Sequence, residues 1–320
     1  MRILVGPNSF GLEQVISDLH ADYPDVDFDF CEDRKCLKDA IAEAEVYFGW
    51  LDRETFLAAK QLKWIQSPST GIDGFLSISE LRESDVLLTS ARGTHAACLA
   101  EHALAMIFAF TRGIVAFIHH QQNHQWASRN LRNALVELTD STVGIVGFGT
   151  VGQALAKRVE PFNARVLAVD IFPGEKPDTV AQLDGIEGLD GLLMASDYVV
   201  ITVPYTEDTK GMIGAEQLAL MKPSAILVGI SRGGVIDEAA LVKALEERTI
   251  AAAALDVFEQ EPLPEDSPLW DVDNLLITPH AAGGSQFEFD AIRSIFKENV
   301  TRYIAGDFPL RNQIDKQQGF

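Results

Sequence analysis

The stretch from Thr142 to Gly152, TVGIVGFGTVG, constrains the fold of this chain more than any other. Gly147, Gly149 and Gly152 form a GxGxxG pattern, which on its own is a weak signal. Here an apolar run precedes it and a helical pattern, Gln153–Val159, follows, giving the strand–turn–helix context of a dinucleotide-binding loop. Gly147 permits the tight turn, Gly149 a close backbone approach to a pyrophosphate, and Gly152 the packing of helix on strand. The helix N-terminus at Thr150 and Val151 then faces the phosphates. Asp170 ends the next apolar run, where a carboxylate accepts both ribose hydroxyls of an adenosine and repels a 2′-phosphate. No Lys or Arg occurs in the following Ile171-Phe172-Pro173, so NAD is expected over NADP. Glycines serving packing alone are the bland alternative, and strand, spacing and acid together weigh against it.

The rest of the chain repeats this alternation. Before residue 90, strands are predicted at Arg2–Val5, Val26–Phe30, Val46–Phe48, Lys63–Gln66 and Val86–Thr89, with amphipathic stretches such as Leu37–Ala44 and Glu54–Lys60 between them. A long apolar helix, about His95 to Arg112, follows Thr94 as N-cap and marks a domain junction. From Thr142 the strands are Val143–Val146, Arg165–Val169, Tyr198–Thr202, Ala225–Val228, Ala251–Leu255 and Leu275–Thr278, and a last helix covers about Phe287–Ile304. The expected class is α/β, with two parallel-sheet units, a number that suits 320 residues.

Composition narrows the partners. A net charge of −21 disfavours nucleic acid and anionic membrane, both of which need a basic surface. The longest apolar runs, such as Ala103–Phe110, are too short for a membrane span. Cys31, Cys36 and Cys98 are odd in number and lack a metal-binding spacing, which favours reduced thiols in a cytoplasm. His119, His120 and His124 lack an acid or thiol companion in an amide-rich setting, so a solvated helix end is expected and no metal site.

Ionisable groups leave three successive strand ends. Arg232 lies in SRGGVID after Ala225–Val228, Glu261 in DVFEQEPLP after Ala251–Leu255, and His280 in TPHAAGG after the last strand. In an open α/β sheet those ends face the ligand crevice. Each has a bland reading as a surface cation, a loop acid or a turn histidine.

These motifs, with TGIDGF at 70–75, Ala100-Glu101-His102 and VPYTEDTKGMI at 203–213, resemble the D-isomer-specific 2-hydroxyacid dehydrogenase family over nearly the full length. The resemblance implies NAD-dependent reduction of a small 2-keto acid, or oxidation of the 2-hydroxy acid. Arg232 would hold the substrate carboxylate and polarise the C2 carbonyl, as a fixed cation with several donors can. His280 would protonate the carbonyl oxygen, and Glu261 would orient it and keep it charged; Glu259 is the rival acid, set aside because the family's acid directly precedes the proline. The family's substrate loop falls on Thr70, Gly71 and Ile72. Its cofactor positions fall on Val203, Pro204, Thr209, Ile230 and Asp256 besides the glycine loop. Trp50 is weighed as a pocket aromatic or a partly buried core residue, and Trp126 as an interdomain packing residue.

The resemblance further implies two flavodoxin/Rossmann-like domains around a cleft. The substrate domain is placed at residues 1–92 and 285–320, with the NAD-binding domain, 93–284, inserted into it. The family usually forms homodimers. Gly229-Ile230-Ser231 and Ala281-Ala282 depart from the family's common form and leave the substrate open among glyoxylate, hydroxypyruvate, pyruvate and longer keto acids. Formate as substrate is disfavoured because that relative carries glutamine where Glu261 stands. A non-catalytic NAD-sensing, partner-binding protein is the alternative from another class.

Overall fold

Runs rich in Val, Ile and Leu become strands here because both faces of a parallel sheet are covered, which favours continuous apolar segments over alternating ones. The computed structural model describes residues 1–126 and 131–319. The chain forms two compact units, Met1–His95 with Ser285–Phe320, and Ala96–Gly284.

In the first unit, β1 (Arg2–Val5), β2 (Asp27–Phe30), β3 (Val46–Phe48), β4 (Trp64–Gln66) and β5 (Leu87–Thr89) form a sheet in the order β2-β1-β3-β4-β5. Every pairing is parallel, and the order is that of flavodoxin-like folds. Leu4, Tyr47 and Ile65 pack on one face with Phe75 and Leu81. Ile3, Val5, Phe48 and Trp64 meet Phe296 of the return helix Glu288–Ala305 on the other. Phe296 stacks on Phe48 with ring centroids 4.2 Å apart.

The return helix is also held by a buried polar network. Asn299, fully buried, donates through Nδ2 to Gln66 Oε1 and to the Arg311 carbonyl, each at 3.0 Å, and accepts from the Arg311 N–H at 2.7 Å. Gln66 Oε1 also accepts from the Thr89 hydroxyl, which accepts in turn from Trp64 Nε1, each at 2.8 Å. One amide thus ties β4, β5 and the C-terminal segment together, and Gln66, Thr89 and Trp64 are fully buried, out of reach of water that could replace the lost bonds.

Cys31, at the end of β2, and Cys36, in the first turn of the helix Arg34–Ala40, are joined in a disulfide with Cα atoms 5.3 Å apart. This corrects the expectation of three reduced thiols. Asp33 caps that helix by accepting from the Cys36 N–H at 2.8 Å, and the tight strand-to-helix turn brings the two thiols within reach. Cys98 lies outside this disulfide, and its thiol donates to the Gly283 carbonyl at 3.2 Å.

The second unit opens with the helix Ala96–Thr111. Its strands are β6 (Thr142–Val146), β7 (Arg165–Val169), β8 (Gln182–Asp184), β9 (Tyr198–Ile201), β10 (Ile226–Gly229), β11 (Ala252–Leu255) and β12 (Leu275–Ile277), ordered β12-β11-β10-β9-β6-β7-β8 and all parallel. Counted from β6, this is the Rossmann order with one strand added, and its switch point lies between β6 and β9. Glu101 of the long helix pairs with Arg158 of the helix Thr150–Val159 at 3.0 Å.

The Asn299 network yields the first prediction. Asn299→Ala should lower the stability of the first unit by about 2–4 kcal/mol, read as lost hydrogen-exchange protection in β4 and β5. The exposed Gln318→Ala, in the same unit, should change it by less than about 0.5 kcal/mol.

Candidate active site

At the switch point the glycine loop is built by close contacts. Gly147 has φ +97°, and a Cβ there would lie 2.9 Å from the Val203 nitrogen. A Cβ on Gly152 would lie 2.4 Å from the Gly147 carbonyl oxygen, so the helix Thr150–Val159 sits against the turn only because both are glycine. A Cβ on Gly149 would meet nothing within 4 Å, leaving open space over the loop. Among the described residues no side chain caps that helix, and its first N–H groups, at Thr150 and Val151, have no intrahelical partner. Asp170 closes the loop from β7, accepting from the Phe148 N–H at 2.6 Å and the Phe172 N–H at 2.9 Å. A carboxylate has capacity for further donors beyond these two. Across the switch point, Thr209 is buried and its hydroxyl donates to the Pro204 carbonyl at 2.7 Å, shaping the loop after β9. Open space over Gly149, uncapped N–H groups and an acid at the end of β7 fit a dinucleotide.

On the other side of the switch point, three loops leave β10, β11 and β12. Ile230 is buried, and the Ser231 hydroxyl is buried with no hydrogen-bond partner among the described residues. In the sequence Ser231 stands out only within the Gly229-Ile230-Ser231 departure and beside Arg232, not as a site residue. Arg232 Nη1 donates to the Ser231 carbonyl at 2.7 Å. A Cβ on Gly233 would fall 1.8 Å from the Phe258 carbonyl oxygen, so the Arg232 loop and the loop after β11 meet backbone to backbone.

Glu261 and His280 are brought together directly. His280 Nδ1 lies 2.6 Å from Glu261 Oε2, while Glu261 Oε1 accepts from the Phe258 N–H at 2.9 Å. An ionised carboxylate only accepts, so Nδ1 carries the proton and Nε2 is left for another partner. Both side chains are partly open to solvent.

His280 is placed by Asp256, which is 1% exposed. Asp256 Oδ1 accepts from the Thr278 hydroxyl at 2.5 Å and the Ala281 N–H at 2.9 Å, and Oδ2 accepts from the Ala282 N–H at 2.9 Å. Its carbonyl accepts from the His280 N–H at 2.8 Å. His102 Nε2 lies 3.1 Å from the Thr278 hydroxyl and supports the same loop. His280 itself adopts φ +50°, a left-handed conformation unusual for a residue with a side chain. Glu259, the rival acid, meets Glu238 instead: its Oε1 accepts from the Glu238 N–H at 3.4 Å, and its own N–H donates to Glu238 Oε1 at 2.6 Å.

In the first unit, Thr70, Gly71 and Ile72 follow β4, and their N–H groups donate to no acceptor among the described residues. Trp50 is 40% exposed, outside the buried core, with its Nε1 donating to the Ser69 hydroxyl at 2.9 Å and its ring edge-on to Phe10. Trp126 is 96% exposed, so the packing role expected of it is not met within the described chain. His119 and His120 lie against the amide side chains of Asn123 and Gln125.

The profile of the D-isomer specific 2-hydroxyacid dehydrogenase NAD binding domain matches residues 104–282. A glyoxylate reductase of Korarchaeum cryptofilum is 35% identical over 275 residues, spanning 85% of this chain and 82% of that protein. A D-isomer specific 2-hydroxyacid dehydrogenase family protein from Aeromonas salmonicida superposes with a TM-score of 0.87 at 29% identity, over 98% of this chain and 99% of that one. A D-isomer specific 2-hydroxyacid dehydrogenase from Xanthobacter autotrophicus, solved with NADPH, gives 0.85 at 29% identity over 99% of each.

The acids beside the histidine loop give a pH prediction. Burial, followed by the charges of Glu259, Asp237 and Glu261, raises the Glu238 carboxyl above its usual range against the opposing Glu259 N–H bond. A raised folded value means that ionised Glu238 weakens the folded state at neutral pH, and that the loss disappears below the unfolded carboxylate pKa of about 4.3. Glu238→Gln should therefore raise Tm at pH 7 by on the order of 1–2 °C and leave it unchanged below about pH 4, measured by thermal denaturation.

Proposed function

The chain belongs to the D-isomer-specific 2-hydroxyacid dehydrogenase family of NAD(P)-dependent oxidoreductases, and on that footing we propose that it reduces a small 2-keto acid with NADH. The observation that carries the reading is the 2.6 Å contact between His280 Nδ1 and Glu261 Oε2. With Nδ1 turned to the carboxylate, Nε2 is the nitrogen that delivers a proton to the C2 oxygen. Glu261 fixes the ring's orientation and stabilises its charged form until the proton leaves. Arg232, with its planar fork of N–H donors, holds the substrate carboxylate and polarises the C2 carbonyl.

The dinucleotide would be held by the N–H groups at Thr150 and Val151 over Gly149, by Asp170 at the adenosine ribose, and along Val203, Pro204 and Ile230. When bound, it supplies the hydride that reduces C2. Asp170 and the absence of a neighbouring base favour an unphosphorylated ribose. Asp256 takes two parts in this reading: its carboxylate positions the His280 loop, and it borders the nicotinamide carboxamide. The unsatisfied N–H groups of Thr70, Gly71 and Ile72 are assigned to the substrate carboxylate, and Trp50 to the substrate pocket.

Two measurements test the reading. NADH oxidation should be followed with glyoxylate, hydroxypyruvate, pyruvate and longer 2-keto acids. His280→Ala should lower kcat by about 10²–10⁴-fold while NADH still binds. Unchanged turnover would overturn the proton-donor assignment, and tight NADH binding without turnover of any keto acid by the unaltered protein would favour a non-catalytic sensor. Separately, Asp170→Ala should reduce the preference for NADH over NADPH by about tenfold or more, the size of one lost charged hydrogen bond. An unaltered protein that already prefers NADPH contradicts that role.

A further inference from the structure

We propose that His95 is a positioning residue for the substrate loop, acting through the Thr70 hydroxyl and itself aimed by Glu288. The inference rests on the reading of Thr70–Ile72 as the carboxylate-binding loop. His95 Nδ1 lies 2.7 Å from Thr70 Oγ1 and 2.9 Å from Thr94 Oγ1, and Nε2 lies 3.1 Å from Glu288 Oε1. The side chains of His95 and Glu288 are 12% and 23% exposed, so the cluster is largely withdrawn from water.

The donors and acceptors can be assigned in order. The Glu288 carboxylate only accepts, so the proton on Nε2 points to it. The Thr94 hydroxyl is committed to the Ala91 carbonyl at 2.8 Å. The Thr70 hydroxyl has only a 3.4 Å contact with that same carbonyl, near the limit of a hydrogen bond. In the neutral ring Nδ1 is then the acceptor, and Thr70 donates to it across the shorter distance. This fixes the Thr70 side chain, and with it the direction of the adjacent N–H groups.

The chain path gives the arrangement its point. His95 is the last residue of the first unit before the chain passes to the second, and Glu288 follows soon after its return at Ser285. One imidazole therefore ties the outgoing segment, the returning helix and the loop Thr70–Ile72 to one another. A packing role alone needs an apolar side chain of similar volume; this site instead spends two ring nitrogens on a hydroxyl and a carboxylate. Positioning of this kind acts on ligand affinity more than on the chemical step, since the groups that move protons lie elsewhere in the chain.

The test is steady-state kinetics on the full-length protein with NADH and its best 2-keto acid. His95→Ala should raise the KM for the keto acid about tenfold, the size of one lost hydrogen bond, with kcat within about twofold and NADH affinity unchanged. His95→Asn places an amide atom near the Nδ1 position and should restore most of the KM. Thr70→Val should raise KM similarly, and the double variant Thr70→Val/His95→Ala should be no worse than the poorer single one, because both remove one interaction. Additive effects overturn the proposal, as does an unchanged KM or a defect that Asn does not relieve. If His95→Ala does not fold, His95→Leu, which keeps the volume and removes both ring nitrogens, takes its place in the same cycle. Failure of the parent reading is separate, since it shows as an unaltered protein that turns over no keto acid at all.

Discussion

Asp256 is 1% exposed, and a carboxylate so far from water persists only where donors replace its hydration. Here the donors are the Thr278 hydroxyl and the N–H groups of Ala281 and Ala282, all in one short loop. The charge therefore fixes the path of that loop at both ends of His280. The unusual backbone of His280 follows: φ +50° costs energy, and the bond from its N–H to the Asp256 carbonyl helps to hold it there. The ring then meets Glu261, whose other oxygen is pinned by the Phe258 N–H. Removing the buried carboxylate would release the loop and the histidine together.

A second constraint is steric and acts through missing Cβ atoms. Gly233 allows the Arg232 loop to touch the Phe258 carbonyl, and Gly152 allows the helix Thr150–Val159 to touch the Gly147 carbonyl. Both contacts place a loop by backbone, the least deformable part of the chain. The same economy explains why the cofactor loop and the histidine loops occupy opposite sides of one switch point: parallel strands end there on one edge, and only short turns follow.

Much of this is legible in the sequence, for physical reasons that differ by element. Buried strands such as Val166–Val169 and Tyr198–Ile201 announce themselves because both faces need apolar residues. β8, Gln182–Asp184, escapes because it is a short, partly exposed edge strand with no apolar run. The pairing of Glu261 with His280 was legible only through motif order, since neighbouring Glu259 has identical chemistry and differs in which loop it meets. The loop-holding part of Asp256 was hidden, because three of its partners come from a loop after the next strand. Cys31 and Cys36 were misread for a similar reason: their approach depends on the turn between β2 and the next helix, which residue counting does not describe. Trp126, expected to pack between domains, is left in solvent by the described chain.

The acidity of the chain acts at a different range from its chemistry. A net charge of −21 repels a polyanion that meets the whole surface, yet a small keto acid and a dinucleotide are anions too. At physiological ionic strength charges are screened beyond about 8 Å, so an anion near the strand ends responds to what lies beside it. There the Arg232 guanidinium and the uncapped N–H groups of the helix Thr150–Val159 are oriented donors. Of the nearby acids, Glu261 is bonded to His280 and Asp256 is surrounded by donors. Glu238 accepts from the Glu259 N–H at 2.6 Å. A net charge of −21 is therefore compatible with small anions held at fixed donors.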